Sequence, residues 1–121
     1  MPDGQSTAPV VSVAQDGHVR TITLNRPQKK NAISDELGWG VVSAVEEAAA
    51  DESVWVVALT GAGDAFCAGL DLTAERKPEL APHSAQDVQL DDIGWGGRFL
   101  TVLWQRCDKP VIAGINGAAV G

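Results

Sequence analysis

Two short runs of apolar residues constrain this chain more than anything else in it. Val54-Trp55-Val56-Val57-Ala58-Leu59 and Pro110-Val111-Ile112-Ala113-Gly114-Ile115 are both unbroken, and each leads into a glycine-rich turn, Gly61–Leu72 and Asn116–Gly121. A strand with one wet face alternates apolar and polar residues, so a continuous branched run predicts a strand covered on both faces, as in a parallel sheet. Parallel neighbours need a long crossover, usually a helix. Between the runs, Phe99, Leu100, Leu103 and Trp104 have helical spacing and predict a helix ending near Cys107-Asp108.

The segment before the first run supports the same class. Val10 to Val13 begins a strand, Asp16-Gly17 signals a turn, and His18 to Leu24 alternates with period two, so a β-hairpin is expected. Pro27 ends that pairing. Ser34 has the character of an N-cap, with Asp35 and Glu36 in the first turn, where the helix dipole favours acids. Leu37, Val41, Val45 and Ala48 then recur every three or four residues, which predicts an amphipathic helix from Asp35 to Ala50. Gly38 and Gly40 are expected to weaken its start. The stretch from Thr73 to Asp91 is polar and interrupted by Pro78 and Pro82, so a mobile surface segment is expected. Hairpin, helix, strand, helix, strand is the order of an α/β fold with a largely parallel sheet.

Charge limits the partners. A formal net charge of −7 argues against nucleic acid or an anionic membrane surface, because both want a basic face. A small anionic ligand feels only local charge, and Arg26, Lys29 and Lys30 lie close together. Cys67 and Cys107 stand far apart in no metal-binding or redox spacing and are expected to be reduced, buried thiols. MPDGQSTAPV lacks the basic start and apolar run of a secretory signal, and Val54–Leu59 is far too short to span a bilayer. A cytoplasmic location is expected. The first nine residues are expected to be a flexible terminus, followed by one domain over 10–121.

The glycine-rich turns are where chemistry is expected. Ligands of parallel sheets collect beyond the carboxyl ends of the strands. Glycine there allows close approach to the backbone, and free N–H groups can stabilise a developing oxyanion. Other constellations fail. Gly61-Ala62-Gly63 begins like a dinucleotide fingerprint, but Phe66 stands where the third glycine is needed. There is no phosphate loop of the GxxxxGK[ST] type and no GxSxG elbow. His18 and His83 are isolated, so no metal site is expected. Trp39, Trp55, Trp95 and Trp104 are expected to pack in the core or an interface.

Three segments together resemble the amino-terminal half of the crotonase superfamily, the enoyl-CoA hydratase/isomerase family. They are Leu24-Asn25-Arg26-Pro27 followed by Asn31-Ala32-Ile33, then Ala65-Phe66-Cys67-Ala68-Gly69-Leu70-Asp71-Leu72, then Lys109-Pro110-Val111-Ile112-Ala113-Gly114-Ile115-Asn116-Gly117-Ala118-Ala119-Val120-Gly121. The resemblance runs from about Val10 to the end and implies a partial crotonase-like α/β fold over 10–121. It implies an enzyme of fatty-acid or related acyl-CoA metabolism, of the enoyl-CoA hydratase or isomerase type, acting through an enolate-like oxygen. CoA would be part of the substrate and no separate cofactor would be needed. By motif, the backbone N–H of Leu70 is one donor of the oxyanion hole, and the other would come from the residue after Gly121. The proton-handling glutamates of family hydratases would also lie beyond Gly121, so the chain alone is expected to lack turnover.

The resemblance further places Lys29, Lys30, Ala32, Ala68, Gly69, Leu70, Asp71, Leu72, Gly117 and Gly121 against the acyl-CoA. Ala32 and Ala68 would lie near the adenine. Lys29 and Lys30 either meet CoA phosphates or form a solvated basic turn. Arg26 is expected to be structural, and Asp71 to fix its loop rather than act as a base. A trimer or hexamer is the family's usual assembly. Two alternatives stay open, a catalytically inactive remnant and another crotonase-type reaction such as thioester hydrolysis or isomerisation.

Overall fold

The computed structural model describes residues 9–80 and 94–121. Strand β1 (Val11–Asp16) turns at Gly17, whose φ is +61°, into β2 (Val19–Leu24), and the two pair antiparallel from Val11↔Leu24 to Asp16↔Val19. Strand β3 (Val56–Gly61) lies parallel to β2, with Val19↔Val56 and Leu24↔Gly61, and β5 (Val111–Gly114) lies parallel to β3, with Val57↔Val111. The sheet order is β1-β2-β3-β5. A second, two-stranded parallel sheet joins β4 (Ala65–Cys67) to β6 (Ala118–Ala119). The α/β class with mostly parallel strands is as the sequence implies.

Helix α1 (Asp35–Ala50) has the expected bounds. Ser34 Oγ accepts from the N–H of Leu37 at 3.2 Å, and Asp35 and Glu36 occupy the first turn. Leu37, Val41, Val42, Val45 and Ala48 are buried and form the core with Ile22, Leu24, Val54 and Val57. The helix's carboxyl end is held by Lys109, whose Nζ donates to the carbonyls of Ala48 (2.7 Å) and Asp51. Gly38 and Gly40 do not delay the helix start. They are contact points instead: a Cβ on Gly38 would lie 2.4 Å from the indole of Trp95, and one on Gly40 would lie 2.8 Å from Val11 Cγ2.

Helix α2 (Gly94–Thr101) continues into a π-helical turn, Val102–Arg106. Val102 is fully buried against the core, and Arg98 reaches Glu46 of α1 at 2.9 Å. The helix expected before Cys107 is therefore present. Short 3₁₀ turns occupy Pro27–Lys29 and Pro78–Leu80. Of the expected surface segment from Thr73 to Asp91, residues 81–91 lie outside the described residues, as do residues 1–8 of the expected flexible terminus and His83. Among the described residues, no helix is long and apolar enough to cross a membrane.

Both apolar runs need correction. The first strand spans Val56–Gly61, not 54–59, because its pairing follows β2 to Gly61. Val54 enters the core before the strand begins. Within β3 only Val57 is fully buried, so the strand is half-covered rather than enclosed on both faces. Trp55 turns outward, 61% exposed, and stacks on the His18 ring at 3.6 Å. The second strand lies at one edge of the sheet, where no further strand pairs with β5 among the described residues, and its Ile112 is exposed. Trp39 is buried and Trp95 partly buried against the core, whereas Trp55 and Trp104 (85% exposed) lie at the surface. His18 lies in the hairpin turn rather than in a strand, its Nδ1 2.8 Å from the Ser53 carbonyl. Cys67 is buried and Cys107 only half-buried, and neither is in a disulfide.

The cap gives a direct stability test. Ser34→Ala should lower unfolding free energy by about 1 kcal/mol, and Ser34→Asp should retain most of it. Urea denaturation of the variants checks this.

Candidate active site

The segment after β3 is a second sheet rather than the long turn expected from its glycines. Ala65 pairs with Ala118 and Cys67 with Ala119, and the Val120 N–H donates to the Cys67 carbonyl at 2.8 Å. Two-residue and three-residue strands carry too little periodicity to be seen in sequence.

Side-chain amides hold the two sheets together. Asn31 is fully buried, and its Nδ2 donates to the carbonyls of Ala62 (2.9 Å) and Ala65 (2.8 Å). Its Oδ1 accepts from the Arg26 N–H at 2.8 Å. Asn116 donates from Nδ2 to the carbonyls of Gly63 (3.1 Å) and Ala65 (3.2 Å), and accepts the Gly61 N–H on Oδ1 at 3.2 Å. Asn31 has φ +57°, a left-handed conformation that asparagine tolerates better than most residues. Gly117 packs so closely that a Cβ there would lie 2.2 Å from the Asp64 carbonyl oxygen. In the sequence both asparagines appear only as letters of the motif segments. Their signal is the placement of each beside a strand end, where free backbone groups need partners.

This frame presents the Leu70 amide. The Ile33 N–H donates to the Gly69 carbonyl at 2.8 Å, and the Asp71 N–H donates to the Ile33 carbonyl at 3.0 Å. In a parallel bridge of this kind the residue between those two groups, Leu70, turns its own N–H and C=O to the opposite side. No hydrogen bond from the Leu70 N–H is formed among the described residues. Leu70 also borders an apolar recess of about 490 Å³, lined with it among others by Ile33, Phe66, Cys67, Gly69 and Gly121. Gly69 has φ +92°, and a Cβ there would press on the Val120 carbonyl at 3.2 Å. Glycine at 69 is thus required twice, by conformation and by space.

Asp71 and Arg26 lock the same loop from the other direction. Arg26 donates from Nη1 to the Ala32 carbonyl and from Nη2 to Asp71 Oδ2 at 3.0 Å. Asp71 Oδ1 accepts from the Thr73 hydroxyl (2.7 Å) and N–H (2.9 Å). The Thr73 hydroxyl, then its N–H, then Arg26 favour the carboxylate and hold the Asp71 pKa at about 2 against the opposing effect of burial. A carboxylate so engaged is a fixing group and a poor base at neutral pH.

The remaining predicted positions are not all gathered at the recess. Gly69, Leu70 and Gly121 line it. Ala32 is half-buried with its carbonyl taken by Arg26, and Ala68 is exposed. Leu72 projects into solvent. Lys29 is exposed, and Lys30 pairs with the exposed Asp64 at 2.8 Å, which lowers the Asp64 pKa. Gly117 buttresses that same Asp64 from the backbone side.

The family model described as enoyl-CoA hydratase/isomerase matches residues 14–121. A probable enoyl-CoA hydratase of Mycobacterium tuberculosis is 40% identical over 92% of this chain and 41% of its own length. The 1,2-epoxyphenylacetyl-CoA isomerase of Escherichia coli is 33% identical over 85% of this chain and 38% of its own. Among solved structures, an enoyl-CoA hydratase/isomerase from Mycobacterium paratuberculosis aligns with a TM-score of 0.74 and 33% identity over 97% of this chain and 45% of that one. The chain therefore spans about 40% of the length of the relatives it matches.

Two predictions concern the frame. Asn31→Ala leaves the Ala62 and Ala65 carbonyls and the Arg26 N–H without this partner, and each unsatisfied buried group costs about 1–3 kcal/mol. The variant should unfold at markedly lower urea than the parent. The second concerns acid. The native pKa of Asp71 is depressed from the ordinary 3.8 to about 2, so its contribution to stability is complete above the ordinary value and is lost as the pH falls to about 2. Asp51, similarly held by Ser53 and Arg20, behaves alike. Asp71→Asn should flatten, without abolishing, the fall in melting temperature across that window.

Proposed function

The chain belongs to the enoyl-CoA hydratase/isomerase family, and from that premise we propose that its Leu70 N–H forms half of an oxyanion hole for the thioester carbonyl of an acyl-CoA. The observation that supports this reading is the Ile33–Leu70 bridge, which leaves the Leu70 N–H with no partner among the described residues in a loop that borders an apolar recess.

The chemistry follows from the position of that donor. Removing a proton beside a thioester, or adding water across its conjugated double bond, moves negative charge onto the carbonyl oxygen. A preorganised N–H in an apolar setting stabilises that charge more than the neutral ground state, and one such donor is typically worth about 3 kcal/mol of barrier. The donor here is backbone, fixed by Gly69, Ile33 and the Arg26–Asp71 pair, so little reorganisation is needed as charge develops. Addition of water to a 2-enoyl-CoA is the reaction proposed for the intact enzyme. The isomerase among the relatives supports a second reading, double-bond migration, which passes through the same stabilised oxygen. Lys29 and Lys30 are proposed to meet the CoA phosphates, Lys30 by exchanging Asp64 for phosphate. CoA enters as part of the substrate, with no separate cofactor proposed. Unpaired Cys67 and Cys107 support work in a reducing compartment, the cytoplasm.

The backbone assignment is separable from any side-chain role. Butyryl-CoA, which is saturated, should move the Leu70 amide resonance downfield in a nitrogen–proton correlation spectrum, and CoA alone should not. In the intact enzyme Leu70→Pro, which deletes the N–H, should lower enoyl-CoA hydration by about 10²–10³ or more, whereas Leu70→Ala should keep most of it. Equal losses in both variants would sink the backbone-donor role.

A further inference from the structure

Strand β1 forms the other edge of the main sheet, and among the described residues no strand lies beyond it. The Asn25 N–H donates to the Val10 carbonyl at 2.8 Å, continuing the register of β1 against β2. Bonds in an antiparallel pair fall on alternate residues. Ser12, Ala14 and Asp16 therefore bond to β2, whereas Val11, Val13 and Gln15 turn their N–H and C=O groups outward. Those outward groups have no partner among the described residues. A bare edge of this kind is a template for a further strand.

Beside the edge runs a groove of about 310 Å³ that shares no residue with the recess beside Leu70. Val11 and Val13 line it from the strand, and Gly40, Ser43, Ala44 and Glu47 line it from α1. Those four helix positions fall on one stripe, and all but Glu47 are small. Val13 is 50% exposed there. Glu47 is exposed and has no partner among the described residues, whereas its neighbour Glu46 holds Arg98. Arg20, opposite Gln15 in the hairpin, is already bonded to the Gln15 amide and to Asp51. The edge thus offers main-chain groups, an apolar floor and one unanswered carboxylate.

We propose that β1 is a docking edge for a partner protein, which adds an extended segment to the sheet and sets a Lys or Arg side chain against Glu47. Added strands take affinity from main-chain bonds and specificity from alternate side chains, and here the alternate side chains enter the groove. Charge selects the partner. A second copy of this chain would bring another Glu47 and a further net charge of −7 to the same edge, whereas a basic segment complements it.

The test titrates the chain with acetyl-Thr-Val-Thr-Lys-Thr-Val-Thr-amide, whose lysine and two valines share one face, in nitrogen–proton correlation spectra. The Val11, Val13 and Gln15 N–H resonances should move downfield, while those of Ser12 and Ala14, already bonded to β2, should move little. Glutamate in place of the probe's lysine should weaken binding by about two- to fivefold, the range of an exposed ion pair. Glu47→Lys, an exposed change on the helix, should reverse that preference. Val13→Pro removes an outward N–H and no bond to β2, so it should weaken binding by about fivefold or more. Methylating the probe's amide nitrogens on alternate residues needs no variant. One alternate set should abolish binding and the other should not. No movement of the three resonances at millimolar probe overturns the proposal, as does equal affinity for the lysine and glutamate probes. A dimer in sedimentation with those three amides protected in the protein alone also overturns it, because the edge then belongs to a second copy.

Discussion

The carbonyl oxygen of Ala65 accepts from two side-chain amides, Asn31 Nδ2 at 2.8 Å and Asn116 Nδ2 at 3.2 Å. Ala65 opens β4, Asn31 precedes α1, and Asn116 follows β5, so this one acceptor ties three distant parts of the chain. The other ends of the same amides close the turn after β3, through Ala62, Gly63 and Gly61. Buried polar groups left without partners are costly, whereas a satisfied network fixes one arrangement. Here the network fixes where β4 starts. The register of β4 against β6, and the approach of Gly69 to Ile33, follow from that start.

The proposed donor inherits its direction from this frame. Leu70 contributes a backbone group, and its side chain is half exposed. What aims the N–H is the bridge to Ile33, the left-handed turn at Gly69, and the Arg26–Asp71 pair that closes the loop behind it. Charge is kept on that supporting side. The recess beside Leu70 is walled almost wholly by apolar groups. Polar clamps thus hold the backbone on one side of the loop, and apolar groups line the other.

Much of the fold was legible because it rests on local chemistry. Ser34 followed by Asp35 and Glu36, and the spacing of Leu37, Val41, Val45 and Ala48, gave α1 its bounds. Asp16-Gly17 marked the hairpin, and the alternation from Val19 to Leu24 marked its second strand. The errors arose where neighbours decide. Trp55 belonged by composition to the buried run, but the pairing of β3 with β2 begins after it and leaves its ring on His18. Gly38 and Gly40 looked like weak helix formers, yet they are the points where Trp95 and Val11 approach α1.

For the site, the sequence by itself determined the family through its motif segments, the α/β class, and the expectation of glycine-rich turns with a loop-fixing Asp71. These depend on residue identity and short spacing, which a linear chain displays. Only the tertiary structure decided that the glycine-rich stretch from Gly61 to Leu72 contains a strand, because β4 exists through pairing with Ala118 and Ala119 more than fifty residues away. It alone gave Asn31 and Asn116 a common acceptor and left the Leu70 N–H unbonded among the described residues beside an apolar recess. Hydrogen-bond direction and enclosed space arise from where distant segments meet, and that meeting has no signature in the order of residues along either one.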